Sequence, residues 1–419
     1  MSTEHADLAS ISKLPTDAAF SRNIAWRRRI GAFWRGVLLL SLVIALLGLT
    51  LLLYKIVDST FGYVALEYRR PPAELLDNRS LAEVSQAELV AILQNNVSAG
   101  RFRKLDREAP IAERSKDEVY TLLLEEVARQ RVVRSWTLTD SIFRRAAIEQ
   151  AMRDTYEDAT LEFRSWLSWS FLNTPMSSRS DFAGVRTAIL GSLWMIGLTI
   201  LVAFPLGVGA AIYLEEYAGR NRLNRIIQTN INNLAGVPSI IYGMLGLSIF
   251  VRALNVVTSG RVAGLDNDNG RTILAAALTM ALLVLPLIII NAQEAIRAVP
   301  SSLRQASLAL GATQWQTIWH HVLPLAFPGI LTGNILAMSR AIGETAPLIV
   351  VGASTYIVTD PDGPFARFTA LPILIYNWTS QPQEEFRKIA AAAIMVLLLM
   401  LLSLNSVAII LRNRFRRSL

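Results

Sequence analysis

Six stretches of mostly apolar residues, each long enough to cross a bilayer, govern what this chain can fold into. They run roughly over 37–54, 188–214, 231–251, 272–290, 330–352 and 389–411. In hydrocarbon a backbone N–H or C=O has no water to turn to, so a run of about 20 apolar residues reads as a transmembrane helix. Composition agrees. Apolar residues make up 52 % and charged residues 18 %, below the roughly 25 % charged residues of a soluble domain. The expected fold class is an all-α integral membrane protein with six transmembrane helices.

Charge sets the orientation. The net charge is +8, but it is uneven. Residues 56–187 carry 18 Lys/Arg against 20 Asp/Glu, while the basic residues elsewhere crowd the ends of the apolar stretches. That pattern follows membrane topology rather than nucleic acid, because basic flanks stay on the cytoplasmic side. Trp26-Arg27-Arg28-Arg29 precedes the first span, Arg220, Arg222 and Arg225 follow the second, and Arg412, Arg414, Arg416 and Arg417 follow the last. Six spans then place both termini inside. The loop 252–271, with Arg252, Arg261 and Arg271, falls outside and breaks the rule. No small-residue cleavage site follows the first span, which is expected to stay as an anchor. The resulting division is a basic tail over 1–36, a span over 37–54, an extracytoplasmic insert over 55–187, a membrane core over 188–411 and a basic tail over 412–419.

Several chemistries are absent from the sequence. It has no cysteine, and its histidines are His5, His320 and His321, so neither a thiolate nucleophile nor a metal site is expected. No G-x-x-x-x-G-K-[S/T] phosphate loop is present. The chain is therefore expected to be a non-enzyme that needs no cofactor.

The insert reads as mostly helical. Ser85 with Glu88, and Ser115 with Glu118, are capping-box pairs ahead of apolar residues at helical spacing. A further helical stretch is expected over about 139–172. A basic tail, one span and an outside domain also suit a membrane sensor, but such a protein would carry a cytoplasmic output domain, and the longest cytoplasmic segment here has about 35 residues.

The loop 291–324 reads as two short helices. Pro300 and Ser301 suit a helix start, and Gly311 suits a stop that needs the left-handed conformation, where a Cβ is penalised. Thr313 suits the cap of a second helix, ended by Pro324. Leu303, Ala306 and Leu310 lie on one face, which suits docking in a partner's groove better than lying on lipid, since only Arg297 and Arg304 are basic. The spacing of Gln305-Ala306-Ser307, Gly311 and Leu323-Pro324 resembles the coupling loop of ABC-importer permeases. Gln305 stands where that family usually has Glu, and His321 where it usually has Ile.

Four further blocks resemble phosphate-specific permeases of the PstA type. They are Phe204 to Tyr217, Asn233-Leu-Ala-Gly-Val-Pro-Ser-Ile-Ile-Tyr-Gly243, Arg340-Ala-Ile-Gly-Glu-Thr-Ala-Pro-Leu348, and Thr369 to Tyr376 with Pro382 to Phe386. The resemblance implies the ABC type I importer permease core and import of inorganic phosphate across the bacterial inner membrane. It implies a second homologous permease, two ATPase subunits that hydrolyse ATP, and an extracytoplasmic phosphate-binding protein, with lipid around the spans. It also implies that Ser301, Leu303, Gln305, Ala306, Ser307, Leu310 and Gly311 meet the ATPase, with Leu303, Ala306 and Leu310 as the buried contacts. A permease of the same superfamily for sulfate, molybdate or a polyamine is the nearest alternative.

Arg340 and Glu344 are the ionisable residues that lie well inside an apolar stretch. Counted from 330, Arg340 falls about 15 Å along a helix, near mid-bilayer, where a charge is expensive and usually faces a partner or a water-filled path. Their i, i+4 spacing lets them pair. They are expected to line the translocation path, Arg340 offering transient charge to the anion and Glu344 competing for the guanidinium. Gly329 and Gly333 are expected to mark close helix packing. The segment 368–376 is expected either to face a binding protein or to pack on the rim of the core. The insert is expected to be dispensable for basic transport, because the resemblance begins near Phe182.

Overall fold

Helix α1 covers Ala18–Thr60 in one piece, and its apolar side chains, Leu38, Leu46 and Leu52 among them, are exposed. The structure, a computed structural model, describes residues 18–414 apart from 78, 109, 112, 113, 129, 157, 158, 178, 220, 265–269 and 355. The expected flank signals at Arg220, Arg416 and Arg417 lie outside the described residues. Residues 1–56 and 57–419 form separate units.

The insert is not helical throughout, which corrects the all-α expectation. Strands β1 (Phe61–Tyr68), β2 (Gln130–Ser135) and β3 (Thr160–Ser165) form an antiparallel sheet in the order β2-β1-β3. The central strand alternates only in part, since Val64, Ala65 and Leu66 are all buried, so period-2 alternation is weak in its sequence. The stretch expected as a helix over 139–172 is instead two short helices, Leu138–Phe143 and Arg145–Thr155, then β3, then Trp169–Asn173.

Between β1 and β2 lies a helical lobe with its own apolar cluster. Helix α2 (Gln86–Asn96) and helix α3 (Lys116–Leu123) start at the two expected capping boxes. Each box is closed by a backbone N–H donated to a glutamate: Ser85 to Glu88 at 2.9 Å and Ser115 to Glu118 at 2.7 Å. These bonds hold both carboxyls below their ordinary range. Leu89, Leu93, Val119 and Leu123 share the lobe's core with Leu105 and Ile111.

The sheet belongs to a different core. Val64, Trp166 and Phe171 pack in one cluster with Leu371, Leu374, Trp378 and Ile389 of the membrane segment. Arg186 pairs with Asp360 at 2.8 Å, and the Thr187 hydroxyl donates to the same carboxylate.

The membrane core is built from α4 (Arg186–Ile212), α5 (Arg222–Ala235), α6 (Ser239–Gly246), α7 (Ile273–Arg297), α8 (Ser301–Ala309), α9 (Gln314–Thr317), α10 (Leu323–Gly343), α11 (Ala346–Val351), α12 (Leu371–Thr379) and α13 (Glu384–Arg414). Among the described residues five helices are long and apolar enough to cross a membrane, and a sixth candidate is the pair Arg222–Ala235 and Ser239–Ala253. That pair bends by 105°, so the stretch expected as a span over 231–251 is broken near Pro238 rather than continuous. Pro238, which cannot donate within a helix, stands at the N-cap of α6 after Gly236 and Val237. The central helix is α7, lined on most sides by α4, α6 and α10; Ala276, Met280 and Val284 are buried.

The segment 368–376 packs largely against the core, with Tyr376 left exposed. Phe368, Leu371, Ile373 and Leu374 are buried.

Gly329 and Gly333 bring α10 against α7. A Cβ on Gly333 would stand 2.3 Å from the Asn291 Cβ, and one on Gly329 would stand 2.8 Å from the Ala295 Cβ. Neither obstacle is a flexible chain end, so backbones would have to separate. We expect Gly333→Val to destabilise the helix pair by about 1–3 kcal/mol through overpacking. A lowered thermal midpoint of the detergent-purified chain checks this, with Gly197→Val, which meets nothing within 4 Å, as the control.

Candidate functional site

The loop between α7 and α10 folds back on the end of α4. Pro300 enters α8 with φ −58° and ψ 134°. Gly311 closes it at φ +84°, the left-handed conformation expected of this stop. Nothing lies within 4 Å of a Cβ there, so a side chain would be penalised by its backbone, by about 1–2 kcal/mol. Thr313 caps α9 in a reciprocal bond with Gln316. The Ser307 and Thr317 hydroxyls meet at 2.9 Å in a buried position and join the two short helices.

Two ion pairs fix this hairpin to the residues after α4. Arg304 donates to Glu216 through Nη2 at 2.8 Å and through Nε at 3.0 Å. Its remaining donors reach the carbonyls of Val299 at 2.6 Å and Ile296 at 2.8 Å. Arg297 pairs with Glu215 at 2.5 Å. The Gln314 amide donates to the Glu216 carbonyl. Glu216 is only 9 % exposed and Arg304 22 %. Arg297 and Arg304, the two basic residues that this loop offers to a lipid surface, are both neutralised from within the chain.

This anchoring divides the expected coupling residues. Leu303 is half-buried against the chain's own cluster of Ile296, Val299 and Val322, and Ser307 is buried. Ser301, Gln305, Ala306, Leu310 and Gly311 are exposed, Leu310 at 90 %. Leu303 and Leu310 therefore do not present one common outward face. The exposed apolar surface continues through Leu308, Trp315 and Trp319, whose indoles stack at 5.6 Å.

The second candidate lies at the other end of α10. Arg340 Nε stands 3.3 Å from Glu344 Oε1, so the expected pair forms. Its place differs from the expectation. Helix α10 begins at Leu323 and ends at Gly343, so Arg340 stands in the last turn and not at the helix middle. Glu344 is extended, at ψ 127°, and α11 starts two residues on. Helix α6 clamps this break, since a Cβ on Gly243 would stand 2.7 Å from the Pro347 Cα. Two sequence blocks, Asn233 to Gly243 and Arg340 to Leu348, thus meet in space. Arg340 keeps 42 % of its side chain exposed and Glu344 18 %: the pair is accessible rather than sealed in.

Both candidate regions fall within one family match. Residues 203–418 match the family described as binding-protein-dependent transport system inner membrane component. The chain belongs to this family. As a permease component of an ABC importer, it contributes membrane helices to a transport system. It is 36 % identical over 231 residues to the phosphate transport system permease protein PstA 1 of Mycobacterium tuberculosis, covering 55 % of this chain and 70 % of that protein. It is 32 % identical over 254 residues to the probable ABC transporter permease protein YqgI of Bacillus subtilis, covering 57 % and 82 %. Its backbone is similar to that of the MetNI methionine ABC transporter at TM-score 0.42 and 17 % identity, over 58 % of this chain and 100 % of that one.

Proposed function

We propose that this permease moves inorganic phosphate across the bacterial inner membrane, with both termini cytoplasmic. The observation that carries the solute is the identity to permeases named for phosphate transport, 36 % for the protein from Mycobacterium tuberculosis and 32 % for the one from Haemophilus influenzae. In this reading the chain pairs with a second permease, two ATPase subunits and an extracytoplasmic phosphate-binding protein. The exposed surface of Gln305, Ala306, Leu308, Leu310 and Gly311 meets the ATPase. Leu303, Arg304 and Ser307 hold that surface to the permease, so movement of the ATPase passes to α4 and α7.

Arg340 and Glu344 act on the solute. A guanidinium matches the oxygens of a phosphate, and one held by a carboxylate can be borrowed rather than captured. A permanent site without that competitor would retain the anion. Arg340→Ala and Glu344→Gln are expected to lose phosphate uptake at least tenfold while the complex assembles and hydrolyses ATP. Uptake of labelled phosphate into proteoliposomes, beside ATP hydrolysis in the same vesicles, checks this. Normal uptake in both variants would leave the pair as a structural bridge. Accumulation of labelled sulfate in place of phosphate by the wild type would overturn the solute assignment.

A further inference from the structure

One of the three arginines that break the topology rule, Arg271, gains an explanation from a cavity. Just before α7, Arg271 faces an open pocket of about 370 Å³, with Gly352 and Ser354 behind α11 and Arg367 and Phe368 ahead of α12. That volume lies within the range of small-molecule sites. The pocket opens on the same end of the core as the insert. Ile273 and Leu274 donate to the carbonyls of Ala366 and Pro364, at 3.1 and 2.8 Å, and Asp360 of the same loop holds Arg186 and Thr187, where the insert enters α4.

Its chemistry is cationic. No carboxylate of the described residues lines it. Asp360 is already paired with Arg186. Among the described residues, Arg271 and Arg367 appear in no hydrogen bond or ion pair. The backbone donors nearby are used: Gly352 and Ala353 reach Leu348, and Ser354 reaches Phe368. The Ser354 hydroxyl donates to Tyr356. Two guanidiniums on one cavity repel each other, and an anion between them turns repulsion into attraction.

Gly352 positions one of them. Its φ is +104°, and a Cβ there would stand 2.4 Å from the Arg271 Cδ and 2.8 Å from its Nε. The glycine thus serves the turn and also leaves room for the Arg271 side chain to lie across the backbone.

We infer that Arg271 and Arg367 form a binding site for a tetrahedral oxyanion at the insert-side mouth of the core. Helix α11 runs from beside Glu344 to this pocket, a length of about 9 Å for six residues. An incoming anion would therefore meet Arg271 and Arg367 first and Arg340 second; that order rests on the importer reading above. Among the described residues neither arginine has a competing carboxylate of the kind Glu344 supplies, but both are exposed, so water screens them and the site is weak and quick to release.

The test uses the chain purified with its assembly partners in detergent, the soluble binding protein left out. Inorganic phosphate is titrated in and its ³¹P line broadening followed, with sulfate as competitor. Wild type should broaden the line saturably, and sulfate should reverse it. Arg271→Gln and Arg367→Gln should each weaken binding about tenfold, the scale of one charge-assisted contact, with Arg271→Lys losing less. Both are substitutions of exposed side chains, and size-exclusion profiles confirm assembly. Absence of broadening in wild type, or broadening unchanged in both glutamine variants, overturns the site. Uptake is a separate readout: a wild type that binds anions at these arginines yet accumulates sulfate and not phosphate refutes the phosphate assignment and keeps the site.

Discussion

Replacing Glu216 with alanine is expected to leave the importer assembled and hydrolysing ATP while cutting solute uptake per ATP tenfold or more. Among the described residues Glu216 is the one carboxylate paired with Arg304, and the guanidinium is mostly out of water. Removing one partner of a buried pair costs about 3–5 kcal/mol, because the other charge is left uncompensated. With Arg304 at 22 % exposure, about 2–3 kcal/mol is the fitting estimate. Arg304 also holds the Val299 and Ile296 carbonyls, so releasing it loosens the entry to α8 as well as its tie to α4. The loss should therefore appear in coupling rather than in catalysis by the ATPase. Arg304→Lys should rescue poorly, since one ammonium cannot reproduce the planar fork. Exchanging the two charges should fail too, because a carboxylate at 304 would face two carbonyl oxygens. The measurement is the ratio of uptake to hydrolysis in proteoliposomes. A wild-type ratio in Glu216→Ala would show that the hairpin is held by its apolar contacts alone.

What the sequence revealed and what it hid differ in range. Short-range signals survived: the caps at Ser85 and Ser115, the stop at Gly311, the pairing of Arg340 with Glu344. Each is set within a few residues, where backbone geometry leaves little choice. The partners of Arg297 and Arg304 lie 82 and 88 residues away, and no spacing rule connects them. Arg271 and Arg367 are likewise joined only by the fold. The sheet was missed for a related reason. Gln130–Ser135 has three charged or amide side chains in six residues, and it becomes a strand because β1 offers it an open edge. The bend before α6 was visible as Gly236-Val-Pro238, but a hydropathy window averages over it. Arg340 was misplaced along its helix because the apolar run was started at 330, while Leu323 and the prolines after it already belong to α10.

The same long-range contacts change what removing the insert should do. Residues 69–129 are expected to be removable, whereas loss of all of 56–187 is expected to abolish a folded chain. Strands β1 and β2 are antiparallel partners, with Tyr68 opposite Gln130, so the helical lobe enters and leaves through neighbouring positions. A two-residue Asn-Gly turn closes such a pair, and the lobe's core of Leu89, Leu93, Val119 and Leu123 leaves as a unit. The larger deletion removes Val64, Trp166 and Phe171 from the cluster they share with Leu371, Leu374, Trp378 and Ile389. Truncating one large core side chain costs about 2–5 kcal/mol, and three vanish together, along with the partners of α12. The dispensability expected from the family boundary near Phe182 should therefore hold for the lobe and not for the sheet. Both deletions, expressed with the same tag and assayed for membrane insertion, assembly and uptake, separate the cases. If the 56–187 deletion assembles and transports while the 69–129 deletion does not, the sheet contributes nothing to the core and the lobe carries an essential role.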